Sequence, residues 1–203
     1  CALSAGWFFE FGWCGGSLGA SLLASFPESR CVFAEFSTSM LATARESLAE
    51  YDGRTEFVEV DYGDPNWTSR VRSFGPFDAI VSGYSIHHQT DERKRGIYSE
   101  IHDLLVPGGM FVNVEHVKSA TPRLEAEWNA LLTDSLYASA IANGKETTRE
   151  AVYRDLVDRP DKDANILAMV EDQCGWLRAI GFENVDCYLK VLELAVFGGQ
   201  KAK

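Results

Sequence analysis

The chain has 203 residues, 46% hydrophobic and 24% charged, which supplies one buried core, and its 17 glycines and 6 prolines exclude collagen-like or disordered classes. Acidic residues number 30 against 19 basic, a formal charge of −11 that argues against nucleic acid or an anionic membrane surface as the main partner and suits a small neutral or cationic one. Cysteines at positions 1, 14, 31, 174 and 187 show no C-x-x-C spacing, and no apolar run reaches membrane-spanning length, so reduced thiols and a cytoplasmic location are expected.

Short apolar runs then alternate with amphipathic ones as far as residue 117, the pattern of repeated strand–helix units. Strands are predicted at Trp7–Phe11, Cys31–Glu35, Thr55–Val60, Phe77–Ser82 and Met110–Glu115, each apolar enough to be covered on both faces. Between them, Ser17–Ser25 sets Leu18, Leu22 and Phe26 at helical spacing, and Ser39–Leu48 does the same with Met40, Leu41, Ala44 and Leu48. Asp91–Leu105 carries the clearest stripe, Ile97, Ile101, Leu104 and Leu105, and Pro107-Gly108-Gly109 is expected to end it. From Thr121 to about Ala179 the pattern becomes wholly helical, with segments at Pro122–Ala142, Thr148–Val157 and Met169–Ala179. Such an insertion is expected to cover a ligand crevice, with Trp128, Tyr137 and Tyr153 able either to line it or to pack the insertion onto the body. Glu183–Tyr188 and Leu192–Gly198 lie too close together for a parallel crossover and are expected to pair as a hairpin.

The first loop reads Glu10-Phe11-Gly12-Trp13-Cys14-Gly15-Gly16-Ser17. Glycines between a strand and a helix let backbone approach a ligand, and the helix start offers free N–H groups; a purely structural turn fits this stretch equally well. Glu35, ending the second strand, can accept from both hydroxyls of a ribose, and Asp61, after the third, from an adenine amine, with Tyr62 placed to stack on the ring or offer its N–H. Singly, each acid reads as a cap or a solvated loop residue. Together they fall at successive strand ends, which converge on one crevice at the switch point of a doubly wound sheet.

The stretches "FDAIVSGYSIHH" (77–88), "LLVPGGMFVNVEHV" (104–117) and "WLRAIGFENVDCY" (176–188) resemble the later motifs of class I S-adenosylmethionine-dependent methyltransferases, a resemblance that spans nearly the whole chain. It implies a doubly wound α/β fold with a seven-stranded, mostly parallel sheet, an antiparallel C-terminal hairpin and a helical insertion after the fifth strand. It also implies a single domain over 1–203, with a cofactor-binding half at 1–120, a helical cap at 121–180 and the hairpin at 181–203. S-adenosylmethionine is the implied cofactor. Glu10, Gly12 and Gly16 fall on the family's glycine-rich loop, Glu35 on its ribose acid, and Phe36, Ser37 and Met40 of "EFSTSML" on the run beside adenine and ribose. Asp61 and Tyr62 fall on the adenine position, and Ser82 and Gly83 beside the methionine moiety and the methyl. One departure stands out: Cys14 replaces the middle glycine of the family's loop, behind Trp13, and is expected to crowd the cofactor or strain the turn unless Gly15 takes over. The resemblance also implies a helical segment before the first strand; with that strand starting at Trp7, a truncated chain or an open site is expected.

The implied reaction is in-line methyl transfer to a small-molecule acceptor, which needs a base only where the acceptor loses a proton. Tyr84, His87 and His88, in the loop after the fourth strand, are the candidate catalytic residues, although histidines in such loops more often serve as hydrogen-bonding or capping groups. Glu115 and His116 with His87 or His88 have the ligand types of a divalent-ion site but no recognised spacing, so no metal is expected. Glu171-Asp172-Gln173 reads as the solvated start of a helix. Two other functions share part of this pattern: a binding or regulatory domain that has lost transfer activity, and a nicotinamide-dependent oxidoreductase, which the Pro-Gly-Gly turn and terminal hairpin disfavour. A homodimer is compatible with the chain.

Overall fold

Alternation within each strand sorts side chains onto two faces, and the first strand shows how. The computed structural model describes residues 6–12, 16–158 and 164–203. In β1 (Trp7–Phe11), Phe9 and Phe11 join the larger core while Phe8 joins a smaller one on the opposite face. The remaining elements follow as α1 (Ser17–Ser25), β2 (Arg30–Glu35), α2 (Thr38–Ser47), β3 (Thr55–Glu59), β4 (Phe77–Gly83), α3 (Asp91–Leu104) and β5 (Leu105–His116). Beyond these come α4 (Pro122–Ala142), α5 (Arg149–Val157), α6 (Val170–Ile180), β6 (Phe182–Val191) and β7 (Leu194–Lys201).

The strands form one seven-stranded sheet in the order β3-β2-β1-β4-β5-β7-β6, parallel except that β7 runs antiparallel to both its neighbours. Leu23 of α1 and Leu48 after α2 pack with Phe8, Cys31, Phe33 and Ala79 on one face. Ile97, Tyr98, Ile101 and Leu104 of α3 and Leu177 of α6 cover Phe9, Phe11, Val32, Ile80 and Phe111 on the other, each such side chain contributing roughly 1.5–3 kcal/mol by burial. No helix among the described residues is long and apolar enough to cross a membrane.

Two local expectations are corrected. The buried stripe of α1 is Gly19 and Leu23, with Leu18, Leu22 and Phe26 only half-buried. The helix touches the sheet at Gly19, where a Cβ would lie 2.5 Å from both Glu10 Oε2 and Phe33 Cε1, so the residue nearest the core is one with no side chain. Nor does Pro107-Gly108-Gly109 end the third helix: α3 stops at Leu104, Leu105 already pairs with Phe77, and the ladder resumes only at Met110 opposite Ala79. The Pro-Gly-Gly run is an irregularity inside β5, held by a bond from Gln200 Nε2 to the Gly108 carbonyl (2.8 Å).

The strand order reverses between β1 and β4, so the C-terminal ends of β1 to β4 open on one crevice. The hairpin lies on the other side of β5, and its turn reaches the same end of the sheet, since His116 pairs with Leu194.

Candidate active site

Gly12, directly after β1, has a left-handed φ of 76° and donates its N–H to the Ala34 carbonyl (3.0 Å). A Cβ there would stand 2.3 Å from Ser85 Oγ, so both conformation and space demand glycine where the β1 loop meets the β4 loop. Gly16 caps α1. Trp13 and Cys14, where the family pattern is broken, lie outside the described residues. Glu10 shares the face of Phe8, and its carboxylate runs beneath α1 to accept the Gly19 N–H at 2.7 Å. Burial pushes that carboxyl up to about 7, with the Gly19 bond opposing the shift. The structure thus sets Glu10 as the support of the helix that follows the loop.

Glu35, half-buried, accepts the Ser37 N–H through one oxygen (3.0 Å), and a carboxylate holds two acceptor oxygens. Ser37 caps α2 by accepting from the Met40 N–H, and Phe36 and Met40 beside it are 64% and 45% exposed. Asp61, exposed after β3, accepts the Gly63 N–H (2.8 Å). Tyr62 turns its side chain inward. Its ring packs on Phe11 with centroids 4.5 Å apart, and its hydroxyl bonds Ser85 Oγ. Burial pushes this phenol up to about 12, so it stays protonated. Ser82 and Gly83 end β4 fully buried, and the Ser82 hydroxyl has no protein partner among the described residues.

Beyond Gly83 the chain turns through Tyr84 in a left-handed conformation, φ 48°, pinned by its N–H to the Val114 carbonyl (2.8 Å). A short 3-10 turn, Ile86–His88, then buries His87 against the end of β5. Glu115 follows Phe111 and Asn113 on the buried face of β5 and is wholly inaccessible. It accepts three N–H groups: His87 Nδ1 at 2.6 Å, the His87 amide at 3.1 Å and the His116 amide at 2.9 Å. A carboxylate so placed holds the proton of His87 on Nδ1 and leaves Nε2 as the basic nitrogen. His88 packs its ring tilted against His87, centroids 4.0 Å apart, and faces the Ala164 carbonyl through Nδ1 (3.2 Å).

A second pair stands beside the first. His116 Nε2 lies 2.7 Å from Glu193 Oε2, and Glu193, 4% exposed, sits in the β6–β7 turn with its carbonyl accepting the Val117 N–H (2.8 Å). Tyr84, His87, His88, His116, Trp128 and Glu193 all line a cleft of about 940 Å³. Trp128 reaches it from α4, while Tyr137 and Tyr153, proposed with it from the sequence, do not line it. Among the described residues no cluster of three or more His, Cys, Asp or Glu is arranged to hold a metal ion; the two carboxylates pair one to one with imidazoles. Of Glu171-Asp172-Gln173, the first two are solvated as expected, whereas Gln173 is buried and accepts the Tyr98 hydroxyl (2.5 Å). Glu193 escaped the sequence reading altogether. Its one signal was an acid inside the apolar run "KVLELAVF", which names no partner.

A doubly wound sheet whose last strand inserts antiparallel between the fifth and sixth, with ligand-type residues at the ends of β1 to β4, defines a methyltransferase-like α/β fold. Residues 9–111 match the family model described as a methyltransferase domain, and the chain belongs to that family. An O-methyltransferase family protein from Burkholderia thailandensis superimposes with a TM-score of 0.68 at 17% identity, over 97% of this chain and 51% of that one. Human N-acetylserotonin methyltransferase in complex with S-adenosylmethionine superimposes at 0.60 and 15%, over 97% and 48%. An uncharacterized methyltransferase of Oceanobacillus iheyensis is 49% identical over 37 residues, 18% of this chain and 17% of that protein. The chain spans about half the length of the solved structures it matches.

Proposed function

We propose that the chain transfers a methyl group from S-adenosylmethionine to a hydroxyl of a small-molecule acceptor, with His87 as the base. The observation that carries this is the His87–Glu115 pair beyond the ends of β4 and β5, next to Ser82 and Gly83, in which inaccessible Glu115 holds a His87 that lines the cleft. The donor set suits the cofactor: Glu35 has an acceptor oxygen for the ribose, Asp61 an exposed carboxylate for the adenine amine, and Ser82 a buried hydroxyl without a partner among the described residues. Phe36 and Met40 supply exposed apolar surface beside them, and Tyr62 contributes main chain in place of its ring. Bound there, S-adenosylmethionine supplies a methyl on a sulfonium, so the departing thioether is neutral.

His87 Nε2 takes the proton of the acceptor hydroxyl as the oxygen forms its new bond to carbon, and buried Glu115 stabilises the resulting imidazolium. Glu115 also sets the orientation of the ring through three hydrogen bonds. Tyr84 and His88, whose ring packs against His87, bound the acceptor side. The cleft opens on the helices of 121–158, which cap it through Trp128.

Titration calorimetry of the chain with S-adenosylmethionine and S-adenosylhomocysteine tests cofactor binding, and no heat from either sinks the proposal. His87→Ala is then expected to slow methyl transfer to hydroxylated small molecules by about 10²–10⁴-fold, read as S-adenosylhomocysteine release, with cofactor affinity retained. Full activity in that variant assigns the proton elsewhere.

A further inference from the structure

The proposed reaction uses one histidine, yet the cleft contains a second one built to the same plan. Glu193 is a buried carboxylate delivered by a hairpin turn, and its Oε2 makes a short contact with His116 Nε2. Burying an acid costs several kcal/mol unless a partner offsets it. Here the partner is a histidine with 17% side-chain exposure that lines the cleft, so the pair opens onto ligand space. The residue is also held through its main chain and flanked by two rings. Its amide is bound to Glu115, the carboxylate that orients His87, and its ring lies 5.7 Å from His87 and 6.1 Å from Trp128. Two imidazoles, each paired with a buried carboxylate, thus line the same cleft beside the Trp128 ring.

We infer that His116, oriented by Glu193, is a second acceptor contact that selects planar molecules carrying another hydroxyl beside the one that is methylated. The inference rests on the methyl-transfer proposal for the role of the first hydroxyl only. Glu193 keeps the His116 proton on Nε2, so Nδ1 is a lone-pair nitrogen and takes a hydrogen bond from an O–H; it gives none to an ether oxygen. The neighbouring rings of Trp128 and His87 favour a flat partner. An acceptor with one hydroxyl leaves His116 facing water or an unpaired edge of the ligand, which lowers its affinity.

The test is titration calorimetry of the full chain, with S-adenosylhomocysteine present, using catechol, phenol and 2-methoxyphenol. Catechol is expected to bind about tenfold tighter than phenol, the worth of one well-made hydrogen bond, and 2-methoxyphenol no tighter than phenol. His116→Phe combined with Glu193→Met removes the pair without stranding the carboxylate, and is expected to erase the catechol preference. His116→Gln keeps an acceptor oxygen and is expected to retain part of it. Equal binding of catechol and phenol to the parent chain overturns the inference, as does 2-methoxyphenol matching catechol, a preference that survives the double change, or no binding of any ring. Titration with S-adenosylmethionine separates the two proposals. Cofactor binding without a catechol preference removes the second contact and leaves methyl transfer standing, whereas a catechol preference without cofactor binding does the reverse.

Discussion

Glu10 shows how one side chain's role depends on which face of a strand it occupies. It stands beside the glycine loop, alternates with Phe9 and Phe11, and so runs under α1. Its carboxyl titrates at about 7 in the folded chain because of burial, against an ordinary 4.5. Between those values the unfolded chain has given up a proton that the folded chain still holds, so stability falls as pH rises through that window and levels off above about 7. Glu10→Gln keeps an acceptor for Gly19 and has no charge to desolvate. Urea unfolding is expected to show it losing less stability than the parent between about pH 5 and about pH 8. Parallel losses in both proteins would place the titration on another group. Tyr62 makes the same point without charge: its neighbour Asp61 stays at the surface, while its own ring was claimed by Phe11.

At the scale of elements, repeated apolar spacing located all five parallel strands and the stripe of α3, whose Ile97, Ile101 and Leu104 are all buried. Spacing failed where the closest contact involves no side chain. Counting apolar residues rotates α1 away from Gly19, because periodicity registers bulk and the sheet there accepts only its absence. Gly19→Ala is therefore a diagnostic change. Alanine gains about 1 kcal/mol of helix propensity over glycine, but its Cβ meets the Glu10 carboxylate and the Phe33 ring at 2.5 Å. A net loss of roughly 1–3 kcal/mol in chemical denaturation is expected, the cost of overpacking, and a gain would mean that α1 does not press on the sheet. The Pro-Gly-Gly run misled for a related reason: local composition marks a break in regular backbone, but only pairing of Leu105 with Phe77 places that break inside β5.

For the whole molecule, the last strand in the chain is an interior strand of the sheet, since β7 lies between β5 and β6. Ending the chain after Glu193 removes the partner of both neighbours, and loss of a cooperative thermal transition is expected by circular dichroism. A truncated chain that still melts cooperatively would show that β1 to β5 stand alone. The same closure assembles the cleft, bringing together residues 28 positions apart in His87–Glu115 and 77 apart in His116–Glu193. The strand–helix alternation, the acids at the ends of β2 and β3 and the histidines after β4 were legible in the chain, because strand period, helix period and turn chemistry act over a few residues. The partners of those histidines, the inward turn of Tyr62 and the place of Glu193 were not, because strand register across the closed sheet chooses them, and register is a property of the assembled core.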